Sequence, residues 1–155
     1  MRLQKATVFG LYAVLELAAD PARQLTAVEI AGKYGISAHH LAKVLRDLGR
    51  AGLVDSVRGV GGGYRFAGDA RRLTLMDVIR LFEEVGTDTE EPPPGAAGQG
   101  IAEGVRFVLA ELDSQTVPTL RSISVSTMLK LVARRPWAAA ATEVKPARRT
   151  ARRPR

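Results

Sequence analysis

Residues 26–67, TAVEIAGKYGISAHHLAKVLRDLGRAGLVDSVRGVGGGYRFA, decide the fold of this 155-residue chain. Thr26 and Glu29 have the spacing of a capping box and predict a helix start, and Gly35 lies where such a helix would end. Ser37 can then cap a second helix. Two short helices joined by a tight turn form a helix-turn-helix, whose second helix can lie in the DNA major groove.

The second predicted helix, which should continue to about Ala51, has two different faces. Its apolar residues recur at the spacing of a buried stripe: Leu41, Val44, Leu45 and Leu48. The opposite face is polar and mostly cationic: His39, Lys43, Arg46 and Arg50. These side chains suit phosphates and guanine edges, although charges also cover any solvated helix. In the first helix of the pair, the apolar members are Val28, Ile30 and Ala31.

Two short β-rich runs follow, at residues 53–57 and 64–67, and the glycine-rich segment RGVGGG connects them. Glycines at a hairpin tip permit positive φ and let the backbone approach another molecule closely. A nucleotide-binding loop is the alternative, but the run lacks the Lys-Ser/Thr of a P-loop and the G-x-G-x-x-G spacing. We therefore interpret the hairpin as a wing, with Arg58 able to enter a narrow minor groove.

Three segments, MRLQKATVFGLYAVLELA, GISAHHLAKVLRDLGRAGLVDSVRG and GGGYRFA, resemble the Rrf2 family of bacterial transcription regulators. The likeness extends more weakly through LTLMDVIRLFEE and ISVSTMLKLV, and so covers about residues 1–133. The resemblance implies a mainly α fold with a small β-hairpin: a winged helix-turn-helix plus a C-terminal dimerisation helix. It also implies a homodimer that usually represses transcription and, in many members, an iron–sulfur cluster held by three cysteines.

The resemblance further implies which residues meet double-stranded DNA. Ser37 lies at a helix start, where its hydroxyl and nearby N–H groups can meet a phosphate. His39 and Lys43 are the candidate base readers. Lys43 is the stronger of the two because it can donate to guanine O6 or N7. Family members differ at the position of Ala42, so their operator preference is not carried over. Arg46 and Arg50 are expected to touch phosphate or to pair with nearby acids such as Asp47. The predicted DNA-binding residues are Ser37, His39, His40, Lys43, Arg46, Arg50, Arg58, Gly59, Gly62 and Tyr64.

The loop at residues 86–100, GTDTEEPPPGAAGQG, is where family members place their cysteine ligands, yet this chain contains no cysteine. Histidine can replace some thiolate ligands, but His39 and His40, the only histidines, lie together on the predicted recognition helix. The loop's acidic residues could attract a cation, although carboxylates in a loose loop are usually just solvated. We expect no iron–sulfur cluster, no other cofactor and no metal site.

Residues 101–123 have near-helical apolar spacing, interrupted by Pro118, which should kink or break the helix. A short final helix is predicted at residues 126–132. The alternative to dimerisation is that the apolar residues cover their own domain's core. Candidates for the subunit interface are Val105, Phe107, Val108, Leu109 and Leu112.

The N-terminal segment superficially resembles a secretory signal, but Glu16 interrupts its apolar run and helical spacing is kept. We predict a folded helix over about residues 6–19, no transmembrane helix and a cytoplasmic protein. A second capping box, Thr74 with Asp77, predicts a helix through about Val85, in which Met76 is core or surface.

The formal charge of +7 is unevenly distributed. Residues 1–80 carry 12 basic and 7 acidic side chains, residues 81–133 carry 3 and 8, and residues 134–155 carry 8 and 1. A basic half with a helix and wing fits contact with a polyanion. The predicted organisation is a DNA-binding domain (1–85), a flexible loop (86–100), a dimerisation helix with a short final helix (101–133) and a disordered basic tail (134–155).

These patterns favour a sequence-specific DNA-binding transcription regulator, and the Rrf2 resemblance implies a dimeric repressor; the sequence does not indicate its effector. The alternative is a winged-helix module that mediates protein interaction without reading DNA. An enzyme is not expected, because the chain shows no nucleophile–base pair and no carboxylate constellation.

Overall fold

A computed structural model describes residues 3–85 and 99–134. In these two ranges, three helices precede a two-stranded antiparallel hairpin and three follow it. The elements are α1 Lys5–Ala19, α2 Ala27–Tyr34, α3 Ala38–Arg50, β1 Val54–Val57, β2 Gly63–Phe66, α4 Leu75–Ile79, α5 Gln99–Ser122 and α6 Val125–Arg134. None of these helices is long and apolar enough to cross a membrane. The mainly α architecture with one small hairpin confirms the fold predicted from the sequence.

Helix α1 lies at the centre of the packing and contacts α3, α4, α6 and β2. Its Val14 and Leu17 are completely buried, and so are Leu41, Leu45 and Leu48 of α3. The apolar stripe predicted on α3 is therefore its core face. Burying a leucine side chain contributes about 1.5–3 kcal/mol, so this stripe fixes the rotation of α3 about its own axis.

Helix α2 begins and ends as its sequence predicts. The Glu29 N–H donates to Thr26 Oγ1 at 3.1 Å, and the Thr26 N–H donates to Glu29 Oε2 at 2.7 Å, which completes the capping box. Gly35 ends the helix in the left-handed conformation, with φ of 62°. Val28 differs from its fellow apolar residues: Ile30 and Ala31 are buried, but Val28 is 69% exposed because it lies on the outer face of this short helix.

A polar and aromatic cluster joins α2 to α1. The Tyr34 ring stacks on Tyr12 with 4.6 Å between ring centroids. Glu16 of α1 accepts hydrogen bonds from the Tyr34 hydroxyl and, at 2.5 Å, from Lys33 Nζ. Burial would raise the pKa of the Glu16 carboxyl, but these hydrogen bonds and the Lys33 charge outweigh it and lower that pKa. Burial and the neighbouring Glu16 raise the pKa of the Tyr34 hydroxyl.

The Glu16→Gln substitution should reduce the free energy of unfolding at neutral pH and make that loss depend on pH. Because the folded-state pKa of Glu16 is lowered, its contribution is present above the ordinary value of 4.5 and disappears as the pH falls through the folded-state pKa. Urea unfolding of both proteins from pH 7 to pH 3 measures this. The two stabilities should converge at acidic pH, and a constant difference would contradict the assignment.

Helix α4 is shorter than predicted. The capping box of Thr74 and Asp77 is present, and Met76 is fully buried, but the helix ends at Ile79 rather than near Val85. The chain leaves the helix because its next residues make contacts with α1. Glu83 accepts hydrogen bonds from the Gln4 N–H at 3.0 Å and from the buried Thr7 hydroxyl, so its carboxylate occupies the N-terminus of α1.

A glycine in α1 makes room for this segment. A Cβ at Gly10 would lie 2.4 Å from Cε2 of Phe82, so the ring would have to shift. We expect Gly10→Ala to lower the free energy of unfolding by about 1–3 kcal/mol, in the range of overpacked cores. Gly32→Ala on α2 is the matched control, since nothing lies within 4 Å of its new Cβ, and it should gain up to about 1 kcal/mol from helix propensity. Urea denaturation of both variants measures the difference, and equal effects would contradict tight packing at Gly10.

Pro118 was predicted to kink or break the helix; helix α5 continues through it, so the break is wrong, and the kink stays a prediction. Pro118 removes one backbone donor, but the position is exposed and water can bond the carbonyl that it frees. Nearby hydroxyls also bond the helix carbonyls, such as Thr119 Oγ1 to the Gln115 carbonyl at 3.0 Å.

The chain after α5 returns to the core. The Leu75 N–H donates to the Ile123 carbonyl at 2.9 Å, and the Val125 N–H donates to the Leu73 carbonyl at 2.8 Å. Val125, at the start of α6, is completely buried. Helix α6 begins one residue before its predicted start at residue 126 and packs against α1.

Candidate nucleic-acid interface

The outer face of α3 presents the predicted groove-facing residues. His39, His40, Lys43, Arg46 and Arg50 are all exposed, opposite the buried leucines. Arg50 pairs with Asp47 on the same helix, with 3.5 Å between Nη1 and Oδ1. Within the described residues, neither Lys43 nor Arg46 forms an ion pair. Their charges are available to a ligand.

Ser37 occupies the N-cap position of α3 but does not cap it in the predicted way. Its φ and ψ are −64° and 124°, and its carbonyl accepts the Leu41 N–H at 3.0 Å. Its side chain makes no capping hydrogen bond. Ser37 is exposed beside the first turn of α3, and the free N–H groups of such a turn attract anions in general.

The wing is a hairpin with a glycine-dependent tip. Strands β1 and β2 pair from Val54 opposite Phe66 to Val57 opposite Gly63, within one residue of the predicted strands. The tip has Gly59 and Gly61 at φ of 108° and 78°, a conformation that other residues rarely adopt. Arg58 and Gly59 are exposed there.

Gly62 and Tyr64, both predicted DNA contacts, also have structural tasks in the hairpin. A Cβ at Gly62 would lie 2.4 Å from the Val57 carbonyl oxygen, so the turn itself requires glycine. Tyr64 exchanges two backbone hydrogen bonds with Leu25, of 2.8 and 2.9 Å, which ties the wing to the start of the helix-turn-helix. Both residues are partly buried.

An open cleft of about 670 Å³ separates α3 from the wing. Three arginines line it: Arg46 and Arg50 from α3, and Arg65 from β2. Arg65 Nη2 lies 3.2 Å from Asp55 Oδ2 across the hairpin, and both side chains are half exposed. A cationic cleft between the predicted recognition helix and the wing would suit the phosphate backbone that separates a major groove from the adjacent minor groove.

Arg65 was missed as a candidate in the sequence. The signal for it was the alternation of side chains along a strand. Arg65 lies between Tyr64 and the buried Phe66 in the sequence, so its side chain is on the opposite, exposed face. Lys5 was missed as well: it lines a smaller concavity with His40 and Lys43. That proximity joins two elements far apart in the sequence, so no local pattern signals it.

The predicted interface residues lie on α5, a different helix from α3, which carries most of the predicted DNA contacts. All five are exposed in the single chain: Val105, Phe107, Val108, Leu109 and Leu112 are 55, 73, 57, 44 and 56% exposed. Ile101, at 78%, extends the stripe that Val105, Val108, Leu109 and Leu112 form along one face of α5. Phe107 lies two residues after Val105, about 200° round the helix, and so is not part of this stripe. Large apolar patches of this kind mark interaction surfaces in proteins of this size.

The donor set does not fit an iron–sulfur cluster. The chain has no thiolate, and its two histidines are adjacent on α3. In the described ranges 3–85 and 99–134, no three His, Cys, Asp or Glu side chains are grouped closely enough to hold a metal ion. Residues 86–98, with the three acidic residues considered as cation ligands, lie outside the described residues.

Comparison with known proteins identifies this arrangement. The family model named Rrf2, described as iron-dependent transcriptional regulators, matches residues 3–131. The chain belongs to the Rrf2 family. It is 54% identical over 132 residues to a Rhodopseudomonas palustris protein assigned as HTH-type transcriptional regulator BadM, with 85% of this chain and 83% of that protein covered.

Solved structures agree with this Rrf2 assignment. CymR, the global cysteine regulator of B. subtilis, shares the fold with a TM-score of 0.70 at 23% identity, over 84% of this chain and 98% of that one. T. potens IscR has a TM-score of 0.59 at 28% identity, over 85% and 88% of the two chains. The resemblance found in the sequence is confirmed, and this Rrf2 protein is a DNA-binding transcription regulator.

Proposed function

We propose that this Rrf2 protein is a homodimeric repressor that reads a pseudo-palindromic operator and carries no iron–sulfur cluster. The observation that supports DNA reading is the cationic outer face of α3, which adjoins the arginine-lined cleft and the wing. In this arrangement α3 enters the major groove, the cleft straddles a phosphate strand and Arg58 reaches the next minor groove.

The uncovered stripe on α5 supports the homodimer. Ile101, Val105, Val108 and Leu112 follow helical spacing along one face, and each is more than half exposed. An antiparallel or crossed pair of α5 helices would bury both stripes in a two-fold interface. Two copies of α3 would then lie in successive major grooves, with half-sites about 34–36 Å apart.

The two halves of α3 have different contacts with DNA in this proposal. Lys43, with His39 and His40, lies in the first half of the helix, where recognition helices contact base edges. Arg46 and Arg50 lie in the second half and line the cleft, so we assign them to the backbone together with Arg65. Ser37 contributes its hydroxyl at the helix start.

The cluster-free part of the proposal follows from the donor set rather than from the family. Iron–sulfur clusters are held by cysteine thiolates, with histidine as an occasional substitute, and this chain offers only the groove-facing His39 and His40. Anaerobic incubation with ferrous iron and sulfide, followed by desalting, should leave no visible absorption and no change in DNA affinity. A stable brown protein would overturn this part.

The location that fits this function is the cytoplasm, where operator DNA is accessible. The basic tail at residues 134–155 would add affinity that does not depend on sequence, with a solvated tail as the alternative. Beyond Arg134 the tail lies outside the described residues.

Selection of bound sequences from a random DNA pool tests the proposed function directly. The purified protein should enrich one motif with two related half-sites, roughly one helical turn apart. Recovery of DNA without a common motif would contradict sequence reading and favour a winged-helix protein-interaction module instead. A single half-site motif would contradict the dimeric mode of binding.

A further inference from the structure

A second, smaller concavity of about 300 Å³ lies where the first turn of α1 meets the middle of α3. Its floor is apolar, formed by Ala6, Phe9 and Val44. Val44 is buried, but Ala6 and Phe9 are only partly covered by the protein. The volume is at the lower end of the range of about 300–1,000 Å³ that is typical of small-molecule sites.

The rim of this concavity is cationic. Lys5, His40 and Lys43 are exposed around the opening. Asp47 is the acidic residue in the lining, and its Oδ1 lies 3.5 Å from Arg50 Nη1, which partly offsets its charge. The rim is therefore complementary to an anion, and the floor to an apolar group.

We propose that this concavity binds a small carboxylate with a short apolar body. The apolar body lies on Phe9 and its neighbours, and the carboxylate lies between the two lysines, where charge-assisted hydrogen bonds form at each ammonium group. A neutral molecule of the same shape can make the apolar contact but not the contact with the lysines.

Binding at this site would control DNA binding, an extension that rests on the proposed function. Lys43 and His40 cannot contact both a carboxylate on the rim and a base edge in the groove. The carboxylate and the operator therefore compete. By linkage, any factor by which the carboxylate weakens operator binding is also the factor by which the operator weakens carboxylate binding.

Isothermal titration of the full chain with hexanoate and with phenylacetate tests the site without DNA. At least one should bind once per chain with a dissociation constant of about 1 mM or tighter, given eight to ten heavy atoms in the ligand. Hexanamide and phenylacetamide, which match them in shape but carry no charge, should bind about tenfold more weakly or worse. Absence of binding by both acids, or equal binding of acid and amide, would overturn the proposal.

Two variants locate the binding. Ala6→Leu fills the concavity from α1 and should abolish binding. Lys5→Gln removes a rim charge and should weaken binding about 1.5- to 5-fold, as expected for an exposed ion pair. Lys130→Gln on α6 is the matched control and should bind like the unaltered protein, because it lies outside the lining. Unchanged binding in both Ala6→Leu and Lys5→Gln would place the ligand elsewhere and overturn the assignment.

Repeating the titration with a protein–operator complex separates failure of this site from failure of the proposed function. Binding of a carboxylate without effect on a protein–operator complex would retain the site and refute competition. Operator binding with no carboxylate binding would retain the proposed function alone. Binding seen only in a variant made monomeric by a charged substitution in the apolar stripe of α5 would assign the concavity to contact between two copies of the chain, and would overturn the proposal.

Discussion

Replacing Val108 with glutamate is expected to convert the proposed dimer into a monomer and to weaken operator binding by about 100-fold or more. Val108 lies in the middle of the apolar stripe of α5 and is 57% exposed in the single chain. In a two-fold interface the new carboxylates would be close to each other and removed from water, which costs several kcal/mol. Without the dimer, each half-site must bind alone and the gain from joint binding is lost.

Two measurements and one control make this prediction specific. Sedimentation equilibrium gives the mass, and fluorescence anisotropy compares a full operator with a single half-site. Val28→Glu on α2 is the matched control, because it also places a carboxylate at an exposed valine, 69% exposed, on a different surface. It should remain dimeric. A dimeric Val108→Glu protein with an unchanged circular dichroism spectrum would refute α5 as the interface.

The sequence predicted the helix-turn-helix closely because its determinants are local. Capping at Thr26, the left-handed Gly35 and the leucine stripe of α3 all depend on residues within one or two turns. The confirmed family match includes this region and extends over residues 3–131. Where geometry follows from near neighbours, a single sequence contains the information.

The errors arise where distant segments meet. Helix α4 ends early because Phe82 and Glu83 contact α1, at Gly10 and at Thr7, more than 70 positions away in the chain. Helix α5 can include Pro118 because it is exposed to water at that position. Val125 is buried where backbone hydrogen bonds join residues 123–125 to residues 73–75. The same limit applies to the site: Arg65 could be found from strand alternation, but Lys5 could not.

The DNA-reading residues stay predictions, and their energetic roles can be separated. Replacing Lys43 with alanine should reduce discrimination at one base pair of each half-site by about 1–3 kcal/mol, as expected for a lost donor to guanine. Binding to random DNA should change little, because Lys43 is assigned a hydrogen bond to a base and not a contact with phosphate. Lys43 is exposed on α3 and makes no ion pair among the described residues, so the protein fold should be unaffected.

Arg46→Ala is the matched comparison one turn further along the same helix. Because Arg46 lines the cleft assigned to a phosphate strand, its loss should weaken binding to all sequences about equally and reduce the salt dependence by about one phosphate contact. Affinities of both variants for a panel of single-base operator changes, measured at several salt concentrations, distinguish the two roles. Equal losses on specific and random DNA in both variants would refute the division of α3 into a base-reading and a phosphate-binding half. Loss of discrimination in Arg46→Ala alone would exchange the two roles and shift the docking of the helix by one turn.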